Sequence, residues 1–191
     1  MASNRRWRLQ FRYRGSRRES AVAQLFSLGS IERMDITKSS RHSKIAGDFG
    51  ETLVLYWLSK HGFECASVDH TGIDLIARHP RKSEVMGISV KSRTRTAGTE
   101  SEYVIVKSGD FDKVAAACQA FGCVPYFAIV VDAASIIRVF ITSMEHFLEL
   151  FPRSSAGGSG WKMSDAYLAQ YSSDPKVVAF ELRADMKRWL I

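Results

Sequence analysis

The chain has 191 residues, 46% of them hydrophobic, enough to bury one substantial core and short for two. Its formal net charge is +7, yet no apolar run reaches the roughly 20 residues of a membrane-spanning helix. The N-terminus lacks the apolar centre of a secretory signal, so the expectation is one soluble, non-secreted domain with appendages.

The charge is uneven along the chain. Residues 1–33 hold eight arginines against Glu19 and Glu32, which is +6, whereas the other 158 residues hold 19 basic and 18 acidic side chains. This leader, NRRWRLQFRYRGSRR at its centre, interleaves Trp7, Phe11 and Tyr13 with arginines. Such a mixture suits phosphate contacts and base stacking. Two other readings stay open: a solvated, dispensable tail with Met34 as an alternative start, and an acid-poor organelle transit peptide.

The segment SKIAGDFGETLVLYWLSKHG predicts a helix, with Ile45, Phe49, Leu53, Tyr56 and Trp57 at helical spacing and Gly62 as its left-handed stop. The breadth of that apolar stripe predicts a largely buried helix. Three runs of β-formers follow, FECASV, IDLIA and VMGISVK, separated by DHTG and RHPRKSE. The last two make a hairpin. SGDFDKVAAACQAFG predicts a second helix, with Ser108 or Asp110 as N-cap and Gly122 as stop. PYFAIVV and IIRVFIT read as strands around DAAS, and SMEHFLELF as a short helix ended by Pro152. SSAGGSG reads as a flexible link, followed by a helix around DAYLAQY and a strand around VVAFELR. A helix between strands of one sheet makes a parallel crossover, so this order predicts an α/β sandwich with a mixed sheet. The expected division is a leader at 1–33, a core at 34–153, and an extension at 154–191 that packs on the core. Trp161, Tyr167 and Tyr171 belong to that packing. Cys65, Cys118 and Cys123 lie in apolar segments, without a CxxC pair or zinc-type histidine spacing. They read as reduced core thiols of a cytoplasmic protein.

The hairpin concentrates chemistry. A turn near Arg81 and Lys82 sets Asp74 opposite about Val90, and the two-residue period of a strand sends Ser89 and Lys91 to one face. Glu51 lies mid-helix on an apolar flank with Val54, Leu55 and Leu58, and Gly47 and Gly50 leave the helix surface thin beside it. Phosphodiester hydrolysis asks for such a set: carboxylates to hold Mg²⁺, the ion to neutralise charge developing on phosphate, and a lysine to orient or help deprotonate water. Arg93 and Arg95 in KSRTRT, with Lys107 and Lys113 about the start of the second helix, suit phosphate contacts. Taken singly, Lys91 also reads as a strand-end lysine and Asp74 as a turn residue.

The residues GID and SVK, with the upstream GETL helix, resemble the PD-(D/E)XK nuclease superfamily, which includes restriction endonucleases and archaeal-type Holliday junction resolvases. The resemblance covers about residues 40–141. It implies a restriction endonuclease-like three-layer sandwich with an αβββαβ core, and a metal-dependent endonuclease acting on DNA with Mg²⁺, for which Mn²⁺ substitutes, and no small-molecule cofactor. Position by position, Glu51 matches the acid of the first helix, Asp74 the metal-binding aspartate and Lys91 the catalytic lysine, and the backbone carbonyl of Val90 is expected to face the metal. Ser89 departs from the pattern, because the family carries Glu, Asp or Gln there. Three outcomes are open: Ser89 holds a metal-bound water, Glu51 or another acid substitutes, or the site binds without cutting. Asp69 and His70 are the nearer stand-ins, and Glu84 is too far along the strand. The alternative function is therefore an inactive nuclease-fold module that grips nucleic acid, and a third is a structural or interaction role with charges decorating strand ends. Cutting two strands with one site per chain favours a homodimer.

Overall fold

The computed structural model describes residues 38–133 and 135–183. The expectations for the leader at 1–33, and for the end of the extension after residue 183, lie outside the described residues. The order is α1 His42–Lys60, β1 Glu64–His70, β2 Ile73–Arg78, β3 Val85–Arg95, β4 Val104–Val106, α2 Ser108–Phe121, β5 Val124–Ala133, β6 Ile136–Ser143, α3 Met144–Leu150, β7 Ser159–Trp161, α4 Asp165–Ser173 and β8 Val178–Arg183. Six strands form one mixed sheet in the order β1-β2-β3-β5-β6-β8. Its single parallel pair is β3 with β5, from Met86↔Val124 to Arg95↔Ala133. That is the pair joined by the α2 crossover, and helix, three strands, crossover helix and parallel strand make the expected αβββαβ core.

Helices cover both faces. On one, Leu53, Val54 and Leu58 of α1 pack on Leu75, Ala77, Ile88, Ala128 and Val130. On the other, Phe111, Val114 and Cys118 of α2 pack with Phe127, Ile129 and Val131, and Phe147, Trp161 and Tyr171 extend this core. The extension after residue 154 thus supplies both a strand of the main sheet and core aromatics. Trp161 and Tyr171 are stacked at 4.2 Å.

Three expectations need correction. The α1 stripe is not largely buried, since Ile45, Phe49 and Tyr56 are exposed; the face against the sheet is Gly50, Leu53, Val54 and Leu58. Gly50 decides this orientation, because a Cβ there would overlap Ser92 Oγ of β3, whereas Gly47 faces open space. The supposed link SSAGGSG is structured at its end: Gly157 takes φ 78°, and Ser159 and Gly160 enter β7, which pairs with β4 in a separate two-stranded sheet. Finally, α2 begins at Ser108 itself, with Lys107 at the N-cap and Asp110 accepting the Lys107 N–H at 3.3 Å.

Candidate functional site

Asp74 is placed by the turn before it. Gly72 has φ 113°, a conformation open to glycine, and a Cβ on it would overlap the Lys113 carbonyl of α2. The chain therefore enters β2 pressed against α2. The register Leu75↔Ile88 then sets Asp74 beside Ser89, one step from the expected Val90.

The Asp74 carboxylate is nonetheless held by Val90, whose main-chain N–H donates to Oδ2 at 2.6 Å. The Ser89 hydroxyl donates to the same oxygen at 3.5 Å. Ser89 is 2% exposed, so its hydroxyl serves Asp74 and does not face solvent. Burial pushes the Asp74 carboxyl above the usual aspartate range, a rise that the Val90 N–H, Lys91 and Ser89 oppose and Asp110 reinforces. Lys91 follows on the same face as Ser89, with its ammonium 3.7 Å from Asp110 Oδ2.

Glu51 comes from α1, where it is half-buried. Its carboxyl is raised by burial, then by the negative charges of Asp74 and Asp48, with Lys44 opposing. A carboxylate raised by neighbouring negative charge is one whose repulsion a cation relieves. Asp74 thus meets Ser89, its charge reaches Glu51, and Lys91 meets Asp110 of α2. The sequence signal for Asp110 was present, but it reads there only as a helix cap.

Asp69 and His70, the nearer stand-ins for a carboxylate at position 89, and the more distant Glu84 lie in different settings. Asp69 is exposed on the edge strand β1, His70 packs edge-on against Phe121 at 5.0 Å, and Glu84 accepts from the Tyr126 hydroxyl at 2.8 Å near the hairpin turn. Among the described residues, no group of three or more His, Cys, Asp or Glu side chains is arranged to hold a metal ion. Mg²⁺ asks for less from a protein: one or two carboxylates suffice when water and substrate phosphate complete its shell. Glu51 and Asp74 are two carboxylates near enough for the charge of Asp74 to act on Glu51.

The expected phosphate contacts divide. Arg93 is exposed, with its guanidinium on the Ser92 carbonyl at 2.7 Å, and Lys107 and Lys113 are exposed at the start of α2. Arg95 is committed elsewhere, bonding Glu102 Oε2 at 3.1 Å and the carbonyls of Glu102 and Tyr103 at 3.1 and 3.0 Å. It anchors the loop after β3. The structure brings up two residues that periodicity does not mark: Lys38, whose ammonium donates to the Thr94 carbonyl at 2.8 Å, and His42, whose Nε2 meets Thr94 Oγ1 at 3.0 Å. Both flank Arg93 at the end of β3.

No protein-family model matches the chain, and no curated protein matches it in sequence. Among solved structures it is similar to Hjc, a Holliday junction resolvase of the archaeal hyperthermophile Archaeoglobus fulgidus, at 16% identity and a TM-score of 0.43, over 58% of this chain and 86% of that one.

Proposed function

We propose that the protein is a metal-dependent endonuclease that hydrolyses phosphodiester bonds in DNA. The observation that carries this reading is the convergence of Asp74, Ser89 and Lys91 on one face of the β2–β3 hairpin, with Glu51 close enough for the Asp74 charge to raise its carboxyl. Glu51 and Asp74, with the Val90 carbonyl, are the groups to hold Mg²⁺ or Mn²⁺, which neutralises charge developing on the scissile phosphate. The protein's own part is positional. Val90 N–H and Ser89 Oγ hold the Asp74 carboxylate, Lys91 orients the attacking water, and Ser89 is an auxiliary that acts through Asp74. Arg93, Lys107 and Lys113, joined by Lys38 and His42, carry the flanking phosphates; Arg95 supports the loop behind them. A twofold homodimer suits duplex cleavage.

The free thiols Cys65, Cys118 and Cys123 suit a reducing, cytoplasmic setting. Among the described residues no helix is long and apolar enough to cross a membrane.

One observation favours a second reading, in which the fold binds nucleic acid without cutting it. Ser89 supplies no carboxylate, and the nearest extra one, Asp110, is paired with Lys91. The test is incubation of plasmid, branched and single-stranded DNA with Mg²⁺ or Mn²⁺, for wild type beside Asp74→Ala and Lys91→Ala. The nuclease reading expects wild-type nicking that both substitutions reduce by roughly 100-fold or more. Nicking that survives both substitutions rejects the site. Salt-dependent binding without cleavage selects the second reading.

A further inference from the structure

We propose that Asp110 positions Lys91 for its work on the attacking water, a role that rests on the reading of this site as a nuclease centre. A strand fixes only the backbone of a lysine; four rotatable carbons separate that backbone from the ammonium. A lysine that must address one water therefore needs a second constraint near its head. Position 89 is where an anion on the same strand would stand beside Lys91, on the same face two residues earlier. Here that place holds a neutral Ser89, 2% exposed, whose hydroxyl is turned to Asp74.

The anion beside Lys91 comes from α2 instead. Asp110 Oδ2 lies 3.7 Å from the Lys91 ammonium, and both side chains are mostly covered, at 29% and 20% exposure. Asp110 is itself held, since the same oxygen accepts the Lys107 N–H at 3.3 Å. The helix carrying it is anchored next door by Phe111 and Val114, both fully buried. Asp112, two residues on, points elsewhere and meets Arg153 at 3.4 Å. The spacing of 3.7 Å exceeds a hydrogen bond. It holds the ammonium by charge beside Asp110 while leaving its protons free for water.

The test uses the full chain with Asp110→Asn and Asp110→Glu. Competitive acetylation of the metal-free protein, read by mass spectrometry, reports how available the Lys91 amine is relative to Lys107 and Lys113 in the same digest. Asp110→Asn is expected to raise relative labelling of Lys91 roughly two- to fivefold, the span of a partly covered ion pair. Where wild type cleaves, kcat falls roughly 10- to 100-fold with KM little changed, the signature of a displaced group and not of weaker binding. Asp110→Glu keeps labelling low and recovers part of kcat. Unchanged Lys91 labelling in Asp110→Asn overturns the proposal, as does a kcat loss that merely tracks a loss of melting temperature. A wild-type chain that cuts no substrate removes the nuclease reading and the water role with it, and the labelling then shows separately whether the pair holds Lys91.

Discussion

The main-chain N–H of Val90 donates to Oδ2 of Asp74 at 2.6 Å, so the carboxylate at the head of β2 is clamped by the neighbouring strand independently of any ion. Beside that clamp Ser89 is sealed from water. A second carboxylate there has a buried like charge for a neighbour unless a cation lies between them. Ser89→Asp is therefore expected to lower stability by roughly 1–3 kcal/mol in EDTA. Added Mg²⁺ restores much of it, by roughly 2.7 kcal/mol at a hundred times the dissociation constant. Melting curves with EDTA and with Mg²⁺ separate the outcomes: an equal loss in both rejects a metal beside Asp74.

Arg93 and Arg95, two residues apart on β3, should behave differently in DNA binding. Arg93 is exposed, so Arg93→Ala removes one phosphate contact and lowers the slope of log affinity against log salt by about one. Arg95 makes three bonds to the loop at 102–103, so Arg95→Ala costs roughly 1–3 kcal/mol of stability and leaves the salt slope close to wild type. Filter binding over a salt series, beside urea unfolding, measures both. Equal slopes for the two variants contradict this division.

The hairpin, the crossover and both helix stops were legible because each has a local cause: alternating β-formers, a polar turn near Arg81 and Lys82, and Gly62 and Gly122 in positive φ. Glu51, Asp74 and Lys91 were legible for the same reason, each lying at a fixed place in a periodic element. Asp110 was not, because its role depends on α2 lying across β3, and nothing within SGDF states which strand the helix will meet. The orientation of α1 was misread because apolar residues ring most of that helix. A glycine, invisible to hydrophobic periodicity, selects the face that touches the sheet. The β4–β7 pair escaped because each strand is three residues long and their partners lie far apart in sequence.

Gly50 gives a stability test of how α1 reaches the site. Its missing Cβ leaves room for Ser92 Oγ, which is buried without a hydrogen-bond partner among the described residues. Gly50→Ala gains roughly 0.5–1 kcal/mol of helix propensity but overpacks this contact at roughly 1–3 kcal/mol, so a net loss is expected. Ser92→Ala alone should be near neutral or stabilising, since it removes an unpaired hydroxyl. The double variant should recover most of the loss, giving a coupling that chemical denaturation resolves. Additive effects show instead that α1 and β3 are not in this close contact.

His146 gives the protein a pH-dependent tie between α3 and the segment after α4. Its Nδ1 lies 2.7 Å from Glu149 Oε2 and its Nε2 lies 2.8 Å from Asp174 Oδ2; Lys176 adds a third charge, 3.0 Å from Glu149. An ionised carboxylate only accepts, so in the charged form of the ring both nitrogens donate, one to each carboxylate. Burial lowers the His146 pKa, but the bonds to Glu149 and Asp174 outweigh it and hold the group above its usual 6.5. Glu149 is held below 4.5, chiefly by its bond to His146. Asp174 is pushed up by burial but carried below 3.8 by its bonds to His146 and Lys176. A raised histidine stabilises the fold fully below pH 6.5, and that contribution fades as pH rises through the folded value. Lowered carboxylates stabilise above their unfolded values, and their contribution is lost as pH falls through the folded ones. The tie is therefore strongest between about pH 4.5 and 6.5. His146→Gln keeps a polar side chain there without the charge, and should melt a few degrees below wild type in that window. The gap should narrow above it as wild-type His146 loses its proton. Differential scanning fluorimetry of the pair from pH 5 to pH 9, a span of roughly two units either side of an ordinary histidine, measures this directly. A gap that stays constant across that span means that His146 acts through packing and not through its charge.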